Sequence, residues 1–544
     1  MRLHMKTILV LQFKRMGDLV QTMPLLRRLR EENPDSHISL ACLEEFKGIL
    51  AGWDGFDRLI PIRVLDLMAL SEHLPSPDLP LPSALAGIQA FHESYALLVN
   101  LSTHPGSAVL GDCIKADRKL GCIRSGNGTI RRAGAWSKYA QAMISHRTEN
   151  LFNMVDMQMG MAGLAPKAMA PSLRVPDAAL EEARELLKGP GFQGGKKLVA
   201  VQAGASSPNK TWPLERFVDL ILRLIGDGDV EILLLGDGKE RELADRLQEA
   251  GGFRMIDLVG MTKVSQLPAL CECCDLVVGN DTGTLHIAAA VGTPTLGLFF
   301  STAYFAETGP YGEGHALLQV EIPCAPCHPA AVCPAQTCKQ YIDAASVYAA
   351  IRWLLETNHG CAPAPNPQVS LYRSRFLSNG LLAYLPVKGG FVSGHFLAGL
   401  LGRLLWESAF GMASDPGLES LWKDSQGYFG RKSKCLDASE VPGTLLASIR
   451  RGLEWVGQLR AELAKPFPDS SRTGILQGRL ADHANELTAL GVKSGLWGKY
   501  LLFEMLDMDY QAYPDMACVL ERKYQGLDQA LTRVLETLER LSAE

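Results

Sequence analysis

The sequence has no long apolar run. Stretches approaching the roughly 18 residues that a spanning helix needs are cut by His286, Thr293 and Pro294, or by Lys388 and His395, so no transmembrane helix is expected. It also has no excess of basic charge. With 54 Lys and Arg against 59 Asp and Glu, whole-surface attraction to nucleic acid or anionic lipid is excluded, and any such contact must be local. No small-residue cleavage site follows the opening MRLHMKTILVLQF, which runs straight into a strand pattern; no signal peptide is expected. An even, closely spaced cysteine framework is missing too. The 13 cysteines are scattered through the chain, which fits reduced thiols in a cytoplasm rather than disulfides.

What is present reads as two α/β series in tandem. The first opens with an apolar strand at Thr7 to Phe13, a loop at Gly17 and helical periodicity from Leu19 to Glu32. Further strands are expected at His37 to Leu43, Arg58 to Ile62 and Tyr95 to Leu101, with a proline-rich loop at Pro75 to Pro82. The second series is cleaner. Strands at Leu198 to Gln202, Glu231 to Leu235, Met255 to Val259, Asp275 to Val278 and Thr295 to Phe299 alternate with helices at Leu214 to Ile225, Glu240 to Glu249, Val264 to Cys273 and Thr284 to Val291. Parallel sheets bind ligands beyond the carboxyl ends of their strands, so chemistry is sought in those loops. The expected domains are 1–172 and 178–350, both Rossmann-like, and then, past a linker at Ala362 to Pro367, a mainly helical extension over 362–544 ending in an amphipathic helix from Tyr524 to Leu541.

Several loops carry candidate chemistry. Asp18 follows the first strand beside Lys14 and Arg15; it reads either as a helix cap or as a general base accepting the proton of a sugar hydroxyl. The segment Gln202 to Pro213 is a small-residue loop with one cation, Lys210, suited to phosphate or simply solvated. Gly279-Asn280-Asp281-Thr282-Gly283-Thr284-Leu285-His286 joins a strand to a helix start, where free amides and the positive end of the dipole favour a pyrophosphate. His286, inside that helix, reads as a structural histidine. Glu240, after Gly236-Asp237-Gly238, can accept from ribose hydroxyls or merely begin a helix. Cys324, Cys327, Cys333 and Cys338 open with CxxC but continue with wider spacing, so a structural zinc is a minor alternative and no metal is expected. Arg118 to Arg147, including Arg124, Arg131 and Arg132, is rich in cations. It reads as a solvated face or as a site for an acidic glycan or glycolipid acceptor, with peripheral contact at the inner face of the cytoplasmic membrane left open.

Taken in order, Ile8-Leu9-Val10 through Met16-Gly17-Asp18, Thr22-Met23-Pro24-Leu25-Leu26, Gly204 through Lys210-Thr211-Trp212-Pro213, and Asn280-Asp281-Thr282-Gly283 through Gly292-Thr293-Pro294 resemble glycosyltransferase family 9, the heptosyltransferases of lipopolysaccharide core assembly. The resemblance covers roughly residues 6 to 350. It implies a GT-B fold, an inverting reaction without metal or other cofactor, an ADP-heptose or related nucleotide-sugar donor, and a lipopolysaccharide core or other surface glycan as acceptor. Asp18 then looks like the catalytic base, Lys210 and Ser206 like phosphate contacts, Glu240 like the ribose contact and Met261 like the adenine neighbour. Asp281, Thr282 and Gly283, with Thr284 and His286 in the same motif, match the segment that holds donor sugar and pyrophosphate, and Lys14 and Arg15 fall on the acceptor side. Two places depart from the commonest pattern: Lys14-Arg15 stands where small hydroxyl residues are frequent, and Gln202-Ala203 where His-Pro is frequent. The competing readings are a sugar-nucleotide epimerase on the same architecture and a non-catalytic sugar-nucleotide-binding subunit of a glycosylation complex.

Overall fold

The computed structural model describes residues 7–387 apart from 72–82, 125–128, 145–146, 190–191, 193, 253–254, 323, 329–330, 332, 357–365 and 367; beyond 387 it describes scattered positions within 396–419 and 525–536. The expected loop at Pro75 to Pro82 and nearly all of the linker and terminal helix lie outside the described residues. By internal contacts the chain divides into one unit of Met1–Ser137 with Phe152–Ser393 and another of Lys138–Leu151 with Gly394–Glu544.

The first unit holds two sheets. One has six strands in the order β3-β2-β1-β4-β5-β6: β1 (Thr7–Gln12), β2 (His37–Leu43), β3 (Arg58–Ile62), β4 (Ser94–Asn100), β5 (Lys115–Arg124) and β6 (Ile130–Ala133). The other has eight, in the order β14-β13-β12-β11-β10-β7-β8-β9: β7 (Lys197–Gln202), β8 (Val230–Leu235), β9 (Ile256–Asp257), β10 (Leu276–Asn280), β11 (Thr295–Phe299), β12 (Ala316–Val320), β13 (Val369–Phe376) and β14 (Leu382–Pro386). The central strands are parallel, and β1 shows why. Ile8, Leu9, Val10 and Leu11 are all fully buried, so the strand is apolar on both faces, as a parallel strand covered by helices on each side must be.

The chain is thus an α/β protein with the GT-B arrangement of two Rossmann-like halves, and their packing is continuous. Ile8, Val10, Leu19 and Val20 of the first half share one buried cluster with Leu198, Ala200, Leu285 and Ile287 of the second. Polar ties reinforce it. Buried Asp156 accepts from Tyr311 Oη (2.6 Å) and from Leu382 N (3.1 Å), and Leu173 N donates to Ala290 O (2.8 Å).

Three local outcomes differ from the sequence reading. The single helix expected from Leu19 to Glu32 is two, α1 (Met16–Gln21) and α2 (Met23–Glu32), because Pro24 lacks an N–H and crowds the preceding turn. Residues 369–386, expected in the helical extension, form the hairpin β13-β14. It adds to β12 with antiparallel pairing such as Leu318 with Leu371. Residues 138–151, expected within the domain 1–172, group with those after 394: Tyr139 packs edge-on against Trp406, and Arg403 pairs with Glu407 at 2.9 Å while donating to Leu151 O. Described residues with regular structure beyond 394 are helical.

Candidate functional site

The carboxyl ends of β7, β8 and β10 carry one hydrogen-bonded network. Asn280, fully buried at the end of β10, donates to Ala203 O (2.8 Å) and Gly204 O (3.1 Å) and accepts from Trp212 N (3.0 Å). It therefore fixes both ends of the loop bearing Lys210. Trp212, itself buried, donates its indole N–H to Ile342 O at 3.0 Å. Within this loop Lys210 Nζ reaches Asp281 Oδ2 at 2.5 Å, and Ser206 is exposed. Outside it, Gln336 Nε2 donates to Asn209 Oδ1 (2.7 Å) and Lys339 Nζ to Pro208 O (2.5 Å).

Glu240 lies across the same edge. Its Oε2 accepts from Asp237 N and from Gln202 Nε2, each at 2.9 Å, and Gln202 Oε1 in turn accepts from Thr284 Oγ1 at 3.1 Å. The carboxylate sits so close to the backbone at Gly204 that a Cβ there would come 1.4 Å from Oε1, so any other residue would push the Glu240 side chain aside. Burial raises the Glu240 pKa above its ordinary value, opposed by the bonds from Asp237 and Gln202. Beyond β9, Met261 is 69% exposed, an apolar surface open to a planar ring.

The helix α3 (Gly283–Ala290) begins at Thr282, whose buried hydroxyl has no hydrogen-bond partner among the described residues. The start of α3 meets α1 of the first half directly. A Cβ on Gly17 would come 2.5 Å from His286 Cδ2 and 3.3 Å from the Gly283 Cα, so glycine is what allows the two helices to touch. His286 is buried, and that burial lowers its pKa although Asp281 and Asp18 both pull the other way. Behind it His315 bonds Thr295 Oγ1 at 3.2 Å, and burial depresses its pKa to about 4.

On the facing side, Asp18 lies in the first turn of α1 with Lys14 Nζ 3.9 Å away; their side chains are 29% and 24% exposed. Gln12, at the end of β1, donates to Thr22 Oγ1 (2.9 Å), which donates to Asp18 O (2.8 Å). This holds the turn carrying Asp18 against the sheet. The structure thus brings Asp18 to the same helix contact as Asp281, Lys210 and His286.

The cationic stretch is not a uniformly solvated face. Arg118 to Arg124 lie on β5, with Arg131 and Arg132 opposite on β6; Arg124 is 6% exposed and Lys119 donates to Asp112 O at 2.9 Å. Arg132 hydrogen-bonds Cys122, whose thiol also feels Lys14. Arg132 and Lys14 therefore share one neighbourhood beside Asp18, whereas Arg15 is exposed. The four cysteines 324, 327, 333 and 338 line one small pocket with Asn209, Ser301 and Gln336. Among the described residues no group of three or more His, Cys, Asp or Glu is placed to hold a metal ion, and no described helix is long and apolar enough to cross a membrane.

Three residues of this network were not singled out by sequence: Asn280, Gln202 and His315. Gln202 had a signal, its departure from the common family pattern; a lone histidine at a strand start gives none.

The family model for glycosyltransferase family 9 (heptosyltransferase) matches residues 86–336. Lipooligosaccharide heptosyltransferase 2 of Campylobacter jejuni is 29% identical over 142 residues, which are 25% of this chain and 44% of that protein. Lipopolysaccharide heptosyltransferase 1 of Campylobacter coli is 22% identical over 308 residues, 54% of this chain and 84% of the relative. Among solved structures, a family 9 glycosyl transferase from Veillonella parvula superposes with a TM-score of 0.47 at 20% identity, covering 65% of this chain and 98% of that one. The Escherichia coli ADP-heptose LPS heptosyltransferase II gives 0.46 at 17% identity, covering 64% and 98%. Over residues 86–336 the chain is similar to glycosyltransferase family 9, the heptosyltransferases.

Proposed function

We propose that this chain transfers a heptose or closely related sugar from an ADP-sugar to a lipopolysaccharide core or other surface glycan, with inversion and without a metal. The observation that carries the reading is the contact of Gly17 with His286, which sets Asp18 opposite Lys210, Asp281 and the start of α3. In this mechanism an acceptor hydroxyl attacks the anomeric carbon on the face opposite ADP. The new C–O bond forms as the bond to the ADP oxygen breaks, and the hydroxyl proton passes to Asp18. Lys210 and the amides at Thr282 to Thr284 take up the charge developing on the departing pyrophosphate. For Lys210 this means exchanging its partner Asp281 for phosphate, which frees Asp281 to accept from hydroxyls of the donor sugar.

Glu240 receives the ribose, Met261 faces the adenine and Ser206 contacts a phosphate. Lys14 and Arg132, with Arg15, Arg124 and Arg131 nearby in sequence, form the side that receives an acidic acceptor; the protein then works in the cytoplasm at or near the inner membrane face. The test is a thermal-shift panel of ADP-, UDP-, GDP- and CMP-linked sugars. A ligand at about 100 times its dissociation constant adds roughly 2.7 kcal/mol of apparent stability. Selective stabilisation by ADP-heptose, weakened in Lys210→Ala, is expected; preference for a UDP-sugar would overturn the donor.

A further inference from the structure

Gln202 is 6% exposed and lies at the end of β7, between the carboxylate of Glu240 and the hydroxyl that opens α3. Its amide can face only one way. A carboxylate is an acceptor only, so the NH2 group must point to Glu240 Oε2, and the amide oxygen is left for Thr284, whose hydroxyl must therefore donate. Two consequences follow. The Thr284 proton is used internally, so the start of α3 offers a phosphate its backbone amides and the unpartnered Thr282 hydroxyl. And Glu240 is held on its Oε2 side by Gln202 and by Asp237 N, which leaves Oε1, lying over Gly204, as the oxygen to meet a ligand.

We propose that Gln202 is a positioning residue that couples the ribose-binding carboxylate of Glu240 to the pyrophosphate-binding start of α3, so that discrimination for the ribose hydroxyls depends on it. This rests on the donor reading above. Gln202 touches neither sugar nor phosphate; it aims one group and occupies the other. Any replacement must be neutral, of similar reach, a donor at one end and an acceptor at the other. Neutral histidine meets those conditions, and methionine, of nearly the same length, meets none of the polar ones.

The experiment is calorimetric titration of wild type, Gln202→Met and Gln202→His with three probes: ADP, 2′,3′-dideoxy-ADP and inorganic pyrophosphate, with a melting curve for each protein. Gln202→Met is expected to weaken ADP about tenfold, the size of one hydrogen bond to a charged group, while dideoxy-ADP and pyrophosphate change by less than about threefold. The ratio of ADP to dideoxy-ADP affinity therefore collapses. Gln202→His is expected to keep most of that ratio. An unchanged ratio in Gln202→Met, or a histidine variant that loses it as fully as methionine does, overturns the proposal. Should Gln202→Met fail to fold, the histidine variant decides by itself on the same ratio. Failure of the wild type to bind ADP at all is a different result, and it would overturn the donor reading.

Discussion

The two halves of the site are built differently. On the side of the second sheet, Gln202, Glu240, Asn280, Asp281, Thr284 and Lys210 are tied to one another or to the backbone by bonds of 2.5 to 3.1 Å, and the network is largely buried. On the side of the first sheet, Asp18 stands on a six-residue helix with Lys14 Nζ 3.9 Å away, partly open to solvent. A network of that kind is organised before any ligand arrives; a lone carboxylate on a short helix acquires its geometry from what binds next to it. Under the proposed transfer, the contrast predicts that the donor is held first and the acceptor completes the site.

The largest effect should come from breaking the open side alone. Asp18→Asn keeps the shape of the turn, because Thr22 bonds the backbone oxygen of residue 18 and not its side chain. Turnover is expected to fall on the order of a hundredfold or more, while ADP-sugar affinity changes little. Rates near normal would remove Asp18 from the chemistry, and a parallel loss of donor affinity would mean that the two halves are not separable as described.

A second, smaller effect sharpens the other side. His315, behind α3, is held neutral by burial, with its pKa at about 4 against an ordinary 6.5. Between those values the unfolded chain takes up a proton that the folded one refuses, so stability rises with pH there and is lost on acidification. At roughly 1.4 kcal/mol per unit, the loss by pH 4.5 is about 2.5 kcal/mol. Urea unfolding at pH 7.5 and pH 4.5 measures it, and His315→Gln, which can still accept from Thr295, should lose less over the same interval. An equal loss in both proteins would assign the acid sensitivity elsewhere.

The difference between the halves also explains what could be read in advance. The strands of the second series were legible because runs such as Leu198 to Gln202 and Thr295 to Phe299 are continuous, apolar and bounded by turn residues, the signature of a strand covered on both faces. β5 was not legible. Its opening Lys115-Ala116-Asp117-Arg118-Lys119 carries mostly exposed charges and only the following Leu120 to Arg124 is buried, so from sequence the segment looks like a solvated face. The hairpin β13-β14 was hidden for another reason: it follows a proline-rich segment that reads as the end of the domain, and its place in the sheet depends on pairing with β12, some 50 residues away. In the site, the residues proposed to act through their own chemistry, Asp18, Lys210, Asp281 and Glu240, stood out by type and by position after a strand. Those proposed to act through a neighbour did not, since the role proposed for Gln202 exists only in its bonds with Glu240 and Thr284.

The smallest prediction asks what the preorganised side gives up. The Glu240 pKa is raised by burial, so the fold binds that proton more tightly than the unfolded chain does. The sign is opposite to that of a salt-bridged carboxylate: ionised Glu240 weakens the fold, and the penalty grows as pH rises from the ordinary value of 4.5 through the raised one. Glu240→Gln removes the charge and keeps an oxygen that can accept from Asp237 N and Gln202. At pH 8 the variant should therefore melt no lower than wild type, with the gap closing as mildly acidic pH protonates Glu240, yet it should bind ADP more weakly. A variant that melts clearly below wild type at pH 8 would mean that Glu240 serves the fold, and the donor side would lose its claim to be a structure held ready at the expense of stability.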